Sequence, residues 1–306
     1  MERTYINEVQ KEIGSTVKVQ GFIENLRNSK YMAFIVLKDI TGKLQITVEK
    51  ADHPDLVDTI DKLTPDSVIT VTGKVMENDY VKMGGVEMIP ESIEVESTAN
   101  ALPIVRKEIA ATKKKKAVER SSIDQRIDYR WIDLRTDENQ LMFKAQSCFV
   151  NAMRKFLLDR NFIEIHTPKL IAAASESGSE VFKVDYFDRN AYLAQSPQFY
   201  KQMAMAAGFE RIFETGPVFR AEKSYTNKHS TEFSGFDLEF SYITSFKDVM
   251  KMEEELLTAG LQAVKDNYGD QIQELFGQEV IMPTTPFPVV KLADLYKALE
   301  EGFGYT

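Results

Sequence analysis

The sequence predicts a two-part chain, a small all-β barrel followed by a larger mixed α/β domain. Three observations carry that expectation. Residues 15–96 break into five short runs rich in Val, Ile, Thr and aromatics, separated by turn signals and one helical interval. Beyond residue 136 the pattern changes to long segments with apolar residues at helical spacing. Residues 211–243, RIFETGPVFRAEKSYTNKHSTEFSGFDLEFSYI, read as two strands joined by a long charged loop. A length of 306 residues agrees with two domains of roughly 100–200 residues each.

In chain order, STVKVQGFIEN, YMAFIVLKD, LQITVEK, SVITVTGKVM and VEMIPESIEVE are the five predicted strands. Asp39 to Lys43 is a hairpin turn between the second and third. Leu56, Val57, Ile60 and Leu63 have helical spacing between the third and fourth. Three strands, a helix and two strands is the order of a five-stranded oligonucleotide-binding barrel, an OB-fold, and equally of other small barrels. Residues 105–135 read as a hinge, with a basic run at Lys113 to Lys116 that is either a solvated loop or a phosphate contact. From Asp137, a plausible N-cap, a helix runs to about Arg160 with Leu141, Phe149, Met153, Phe156 and Leu157 on its apolar face.

NFIEIHTPKLI follows as a strand that Pro168 must interrupt. AAASESGSE has the makeup of a mobile lid or of an inert surface loop. AYLAQ is a strand leading into the helix SPQFYKQMAMAAG, with Ser196 as N-cap, Pro197 in the first helical position and Gly208 at the C-terminal cap. Gln198 and Lys201 share a face near that helix's N-terminus, where a lysine opposes the dipole unless it meets an anion. Residues 246–276 form a long amphipathic helix, and PFPVVKLADLYKALEEGFGYT begins a new strand and helix.

Composition narrows the function. A content of 43% hydrophobic and 28% charged residues is ordinary for a soluble globular protein. One cysteine, Cys148, excludes an internal disulfide framework and fits a reducing compartment. No apolar run approaches the length of a bilayer span, and the N-terminus lacks the apolar centre of a signal peptide, so a cytoplasmic protein is expected. The net charge is −9, and the first hundred residues hold 11 Lys and Arg against 17 Asp and Glu. A broad basic field for nucleic acid is thereby excluded, and any such binding must use a local, shaped site.

The hairpin is where chemistry concentrates. Strict alternation puts Phe236, Leu238, Phe240 and Tyr242 on one face and Phe233, Asp237 and Glu239 on the other. The incoming strand sets Phe213 and Phe219 opposite Glu214 and Arg220. Charge pointing off the middle of a sheet is costly unless something binds it, which leaves a solvated, salt-bridged sheet or a ligand site.

FIEIHTPKL, ASESGSEVF, AQSPQFYKQ, FRAE, HSTEF and FDLE, in that order, resemble the class II aminoacyl-tRNA synthetases, specifically the aspartyl-tRNA synthetases of the archaeal and eukaryotic type. The resemblance spans nearly the whole chain. It implies an OB-fold anticodon domain over residues 1–104, a hinge over 105–135, and a catalytic domain over 136–306 built on an antiparallel sheet with flanking helices. It implies homodimerisation through the strand near Pro168. By resemblance, Arg220 contacts the α-phosphate and the amino acid's carboxylate, Glu222 the adenine amino group and His229 the terminal phosphates, while Phe233 stacks beneath adenine. Glu176 and Asp237 hold the ammonium of L-aspartate, and Gln198 and Lys201 line its pocket, Lys201 meeting the β-carboxylate. Arg27, Phe34 and Gln45 match anticodon contacts. ATP is the second substrate with Mg2+, and the partner is the aspartate tRNA, with the asparagine tRNA as a second candidate.

One departure stands out. The third class II motif, a Gly-rich helix start ending in Glu-Arg, is not present before Thr306, so the C-terminal part of the catalytic domain and the Mg2+ ligands are expected beyond this end, in a longer synthetase. Two rivals remain at this point. An asparaginyl-tRNA synthetase shares the motifs but gains nothing from Lys201 beside a neutral amide. A non-catalytic paralogue would bind tRNA without activating an amino acid.

Overall fold

The computed structural model describes residues 1–108, 117–174, 181–223, 226 and 228–304. The chain forms two compact units, Met1–Tyr129 and Arg130–Thr306.

In the first unit a 3-10 helix, Ile6–Glu12, precedes five strands: β1 (Thr16–Asn28), β2 (Met32–Lys38), β3 (Lys43–Glu49), β4 (Val68–Glu77) and β5 (Val86–Ser97). They close into a barrel in the order β1-β2-β3-β5-β4, with β3 and β5 parallel and the other pairs antiparallel. Alternation explains the closure: Ala33, Ile35 and Leu37 of β2 and Leu44, Ile46 and Val48 of β3 all point into one core. The predicted helix between β3 and β4 is a 3-10 turn, Pro54–Leu56, continued by the short α1 (Val57–Ile60), with Leu56, Ile60 and Leu63 plugging the core. Two barrel glycines answer to packing. A Cβ at Gly21 would sit 2.3 Å from the Lys38 carbonyl oxygen, and one at Gly73 2.4 Å from that of Ile89.

The buried Asp39 carboxylate ties the N-terminal segment to the barrel. It accepts from the Ile6 amide at 3.0 Å, the Thr41 amide at 2.7 Å, the Thr41 hydroxyl at 2.6 Å and the Gly42 amide at 3.0 Å. The first unit ends on α2 (Ile123–Asp128), started by a Ser122–Gln125 capping box, and the second opens on α3 (Arg130–Asp133). The Lys113 to Lys116 run lies outside the described residues.

The second unit continues with α4 (Asp137–Leu158), β6 (Ile163–Glu164), β7 (Leu170–Ile171), β8 (Lys183–Tyr186), β9 (Arg189–Leu193), α5 (Gln198–Ala206), β10 (Arg211–Phe219), β11 (Glu232–Phe240), α6 (Phe246–Phe276) and α7 (Leu292–Phe303). One sheet runs β11-β10-β6, antiparallel between β11 and β10 and parallel between β10 and β6; a second, β7-β9-β8, is antiparallel. Pro168 separates β6 from β7, as expected of a residue without an amide donor.

Phe213, Phe236, Leu238 and Phe240 cover one face of the β10–β11 ladder and pack with Phe149, Met153, Leu157 and Leu256 of α4 and α6. The Phe213 and Phe236 rings stack with centroids 5.8 Å apart. Gly260 lets the two helices close, since a Cβ there would lie 2.6 Å from the Phe149 ring.

Three local expectations are corrected. Thr136, not Asp137, caps α4, its hydroxyl accepting from the Asn139 amide. Helix α5 starts at Gln198, one residue later than predicted, although the Ser196 hydroxyl still accepts from the Gln198 amide. The strand predicted before α7 is absent among the described residues: 287–291 has strand-like composition, but no partner pairs with it.

Replacing Asp39 with alanine would leave the buried Ile6 amide, the partly buried Thr41 and Gly42 amides and the Thr41 hydroxyl short of an acceptor. Asp39→Ala is expected to lower the barrel unit's unfolding free energy by about 2–3 kcal/mol in a denaturant titration, and an unchanged midpoint would contradict this role.

Candidate active site

The face of β10–β11 turned away from α4 and α6 carries the charge. Antiparallel register pairs Val218 with Phe233, Gly216 with Gly235, Glu214 with Asp237 and Ile212 with Glu239, so these side chains share that face. Arg220 continues it beyond the end of β10, held by its amide donating 3.0 Å to the Thr231 carbonyl. Two backbone bonds bring the wall: the Ala194 amide donates to Lys169 and the Phe219 amide to Ala194, carrying Gln195, Ser196 and Pro197 alongside the sheet. The result is a cleft with about 400 Å³ of empty space, part of it open to solvent, lined by Lys169, Gln195, Ser196, Glu214, Gly216, Arg220, Phe233, Gly235 and Asp237 among others.

At one end the Arg220 guanidinium lies 5.6 Å from the centre of the Phe233 ring and 3.9 Å from a Glu222 oxygen. Phe233 remains 39% exposed, so its ring is not core packing. At the other end Lys201, only 4% exposed, reaches from α5 to ion-pair with both Asp237 and Glu239, the latter at 3.2 Å. Gln198 donates to the same Glu239 carboxylate at 3.4 Å. A buried ammonium opposing its helix dipole is thus held by two carboxylates. The cluster of one cation and two anions carries a formal charge of −1, an environment suited to an incoming ammonium group.

Below the cleft, Glu214 accepts from the Thr167 amide at 2.9 Å, the Thr167 hydroxyl at 2.7 Å and the Lys169 ammonium at 2.9 Å. Burial alone pushes its carboxyl up, but the Thr167 amide, the Lys169 ammonium and the Thr167 hydroxyl outweigh burial and hold it below the usual carboxylate range.

The sequence-predicted residues fall into three groups. Arg220, Phe233 and Asp237 line the cleft, and Gln198 and Lys201 reach its acidic end. Glu222 stands beside Arg220, whereas His229 is exposed on the loop, bonded through Nδ1 to the Thr226 hydroxyl at 2.6 Å, and does not line the cleft. Glu176 lies outside the described residues. Lys169, Gln195, Glu214 and Glu239 were given no role by sequence. Alternation alone marks Glu214 and Glu239, while Lys169 and Gln195 stand inside the family segments FIEIHTPKL and AQSPQFYKQ without a role of their own.

In the barrel unit, Arg27, Phe34 and Gln45 share one outward face. Arg27 pairs with Phe34 across β1–β2, its guanidinium 5.8 Å from the ring centre. The Gln45 amide donates to Thr47 at 3.1 Å and to Glu87 at 3.3 Å. Among the described residues no group of three or more His, Cys, Asp or Glu could hold a metal ion, and no helix is long and apolar enough to cross a membrane.

Residues 122–302 match the family model of class II tRNA synthetases (D, K and N), and residues 17–96 match an OB-fold nucleic acid binding domain. The chain is 42% identical over 290 residues to an aspartate–tRNA(Asp/Asn) ligase of Methanopyrus kandleri, covering 94% of this chain and 65% of that protein. It is 36% identical over 312 residues to an aspartate–tRNA(Asp) ligase of Thermoplasma acidophilum, covering 100% of this chain and 69% of the relative. Among solved structures, asparaginyl-tRNA synthetase from Pyrococcus horikoshii complexed with asparaginyl-adenylate superposes with a TM-score of 0.86 at 28% identity, over 100% of this chain and 69% of that one. The aspartyl-tRNA synthetase of Entamoeba histolytica gives 0.81 at 29% identity, over 100% and 64%. The chain spans only 65%, 58% and 64% of the length of three curated relatives it matches, the aspartate–tRNA ligases of Methanopyrus kandleri, Picrophilus torridus and Aeropyrum pernix.

The depressed Glu214 carboxyl has a consequence for stability. Its contribution is fully present above the ordinary value near 4.5 and is lost as pH falls through the lower folded-state value. Against Glu214→Gln, the wild type's stability advantage is therefore expected to be constant at neutral pH and to shrink below about pH 4.5 in denaturation series. An advantage that grew toward acid would contradict the assignment.

Proposed function

The chain belongs to the class II tRNA synthetases of the aspartate, lysine and asparagine group, and from that membership we propose that it activates L-aspartate with ATP and transfers it to the 3′ end of tRNA. The observation that carries the reading is the single strand face on which an exposed aromatic ring, a guanidinium and an acidic cluster around a buried lysine follow one another.

Each group has a task in such a reaction. Adenine stacks on Phe233, and Glu222 accepts from its amino group. The Arg220 guanidinium meets the α-phosphate, where charge accumulates as the aspartate carboxylate attacks phosphorus in line with departing pyrophosphate. His229 answers to the terminal phosphates. Asp237, with Glu176, takes the substrate's ammonium. Lys201, shared in this structure between Asp237 and Glu239, is then released toward the substrate's β-carboxylate, with Gln198 beside it. The tRNA's terminal ribose hydroxyl next takes the acyl group from the adenylate, and no covalent enzyme intermediate is needed. Mg2+ carried on the ATP phosphates would supply neutralisation of their charge; among the described residues no carboxylate cluster would hold it.

The OB barrel, residues 1–104, reads the anticodon, with Phe34 stacking on a splayed base and Arg27 and Gln45 hydrogen bonding. Residues 105–135 act as the hinge and 136–306 belong to the catalytic domain, which dimerises through the strand near Pro168. The compartment is the cytoplasm. The asparagine-specific reading is favoured by the fit to the Pyrococcus horikoshii structure. A neutral amide, however, would leave the released Lys201 ammonium without a charged partner.

ATP–pyrophosphate exchange tests this. In a synthetase that carries this chain together with the third class II motif, exchange driven by L-aspartate and not by L-asparagine is expected, falling by about a hundredfold or more in Arg220→Ala. Exchange driven by asparagine alone, or indifferent to Arg220, would sink the reading.

A further inference from the structure

The β8–β9 hairpin turns on two residues, Phe187 and Asp188, between the paired Tyr186 and Arg189. Phe187 has a φ of 55°, whereas that of Asp188 is not positive. A positive φ at the first of two central residues is the type II′ pattern, and glycine is the residue that fits it. An aromatic side chain in that position strains the backbone. Packing does not offset the strain, since Phe187 is 92% exposed. Its ring meets Tyr186 edge-on, with centroids 4.8 Å apart and planes at 74°, and Tyr186 is itself 40% exposed. A scattered exposed aromatic asks for no explanation. One held bare in a glycine's conformation points to a contact made outside the chain.

We propose that the Tyr186–Phe187 corner is a stacking platform for an unpaired base near the 3′ end of an RNA substrate. The proposal rests on the proposed function and adds a site outside the cleft. Strand β9 leads from this tip into the cleft wall, Leu193 being followed after one residue by Gln195. From Arg189 to Gln195 the chain covers about 20 Å. A 3′ end with its last nucleoside in the cleft extends its preceding nucleotides over a distance of this order, and unpaired bases stack on exposed rings. Lys183 and Arg189 balance Asp185 and Asp188 on the hairpin, so the tip offers a ring face without net charge, which suits a base rather than a phosphate. A stable protein interface needs a broad patch, and two rings on a tip flanked by four charged residues do not make one.

The experiment titrates the chain into a short RNA duplex whose unpaired 3′ tail carries a fluorescent purine, with emission that falls on stacking. The wild type is expected to bind and quench this probe. Phe187→Gly is expected to weaken binding by about fivefold or more and to abolish the quenching, with the Tm unchanged or raised. Phe187→Trp is expected to bind at least as tightly as the wild type. A blunt duplex is expected to bind the wild type and Phe187→Gly alike. Tailed RNA held equally by wild type and Phe187→Gly, or by neither, would overturn the platform. So would a change in sedimentation between the two proteins, which would assign the tip to a protein contact. Aspartate-dependent pyrophosphate exchange involves no RNA, so these failures leave the proposed amino-acid activation standing. Loss of exchange with the quenching intact would sink that activation and leave the platform.

Discussion

Side chains alternate across a strand, so the β10–β11 ladder cannot bury Phe213, Phe236, Leu238 and Phe240 against α4 and α6 without turning Glu214, Asp237 and Glu239 the other way. The two faces are one constraint. The apolar face fixes the register, because a one-residue slip would put four aromatic or aliphatic side chains in water and three carboxylates in the core. The register in turn fixes the order of ring, glycine pair and carboxylates along the cleft. The packing that stabilises this unit thus also sets the spacing of its chemistry.

Three carboxylates side by side on a sheet repel one another, and two lysines from other elements answer them. Lys169, just after the Pro168 break, reaches Glu214, and Lys201 reaches Asp237 and Glu239 from α5. The pairs differ in kind. Glu214 is nearly inaccessible and also takes both donors of Thr167, so it is a structural joint between β10 and the segment linking β6 to β7. Lys201 divides itself between two partners that stay partly exposed.

Much of this was legible in the chain because the signals were local. Helix α6 begins at Phe246 behind a Ser245 capping box and ends before a left-handed Gly277, both sequence-adjacent devices, and its predicted bounds hold to the residue. Alternation identified the charged face and put Phe233 on it. What was not legible is what depends on a distant partner. Residues 287–291 have the composition of a strand and, among the described residues, none to pair with, whereas NFIEIHTPKLI, read as a strand on the same kind of signal, finds a partner because Ile163 and Glu164 lie beside Ile212 and Phe213. Lys169 and Gln195 reach the cleft through two backbone bonds between elements far apart in sequence. That Lys201 needs an anion follows from its place near the N-terminus of α5; that Asp237 and Glu239 supply it does not.

The claim that this strand face is a ligand platform is tested most directly by a crystal structure of the chain with aspartyl-sulfamoyl-adenosine bound. The account requires adenine on the Phe233 ring, the sulfamoyl group at Arg220, the ammonium at Asp237, and Lys201 drawn away from Asp237 toward the ligand's carboxylate. An analogue bound elsewhere, with the Lys201–Asp237 pair intact and the cleft empty, would contradict it.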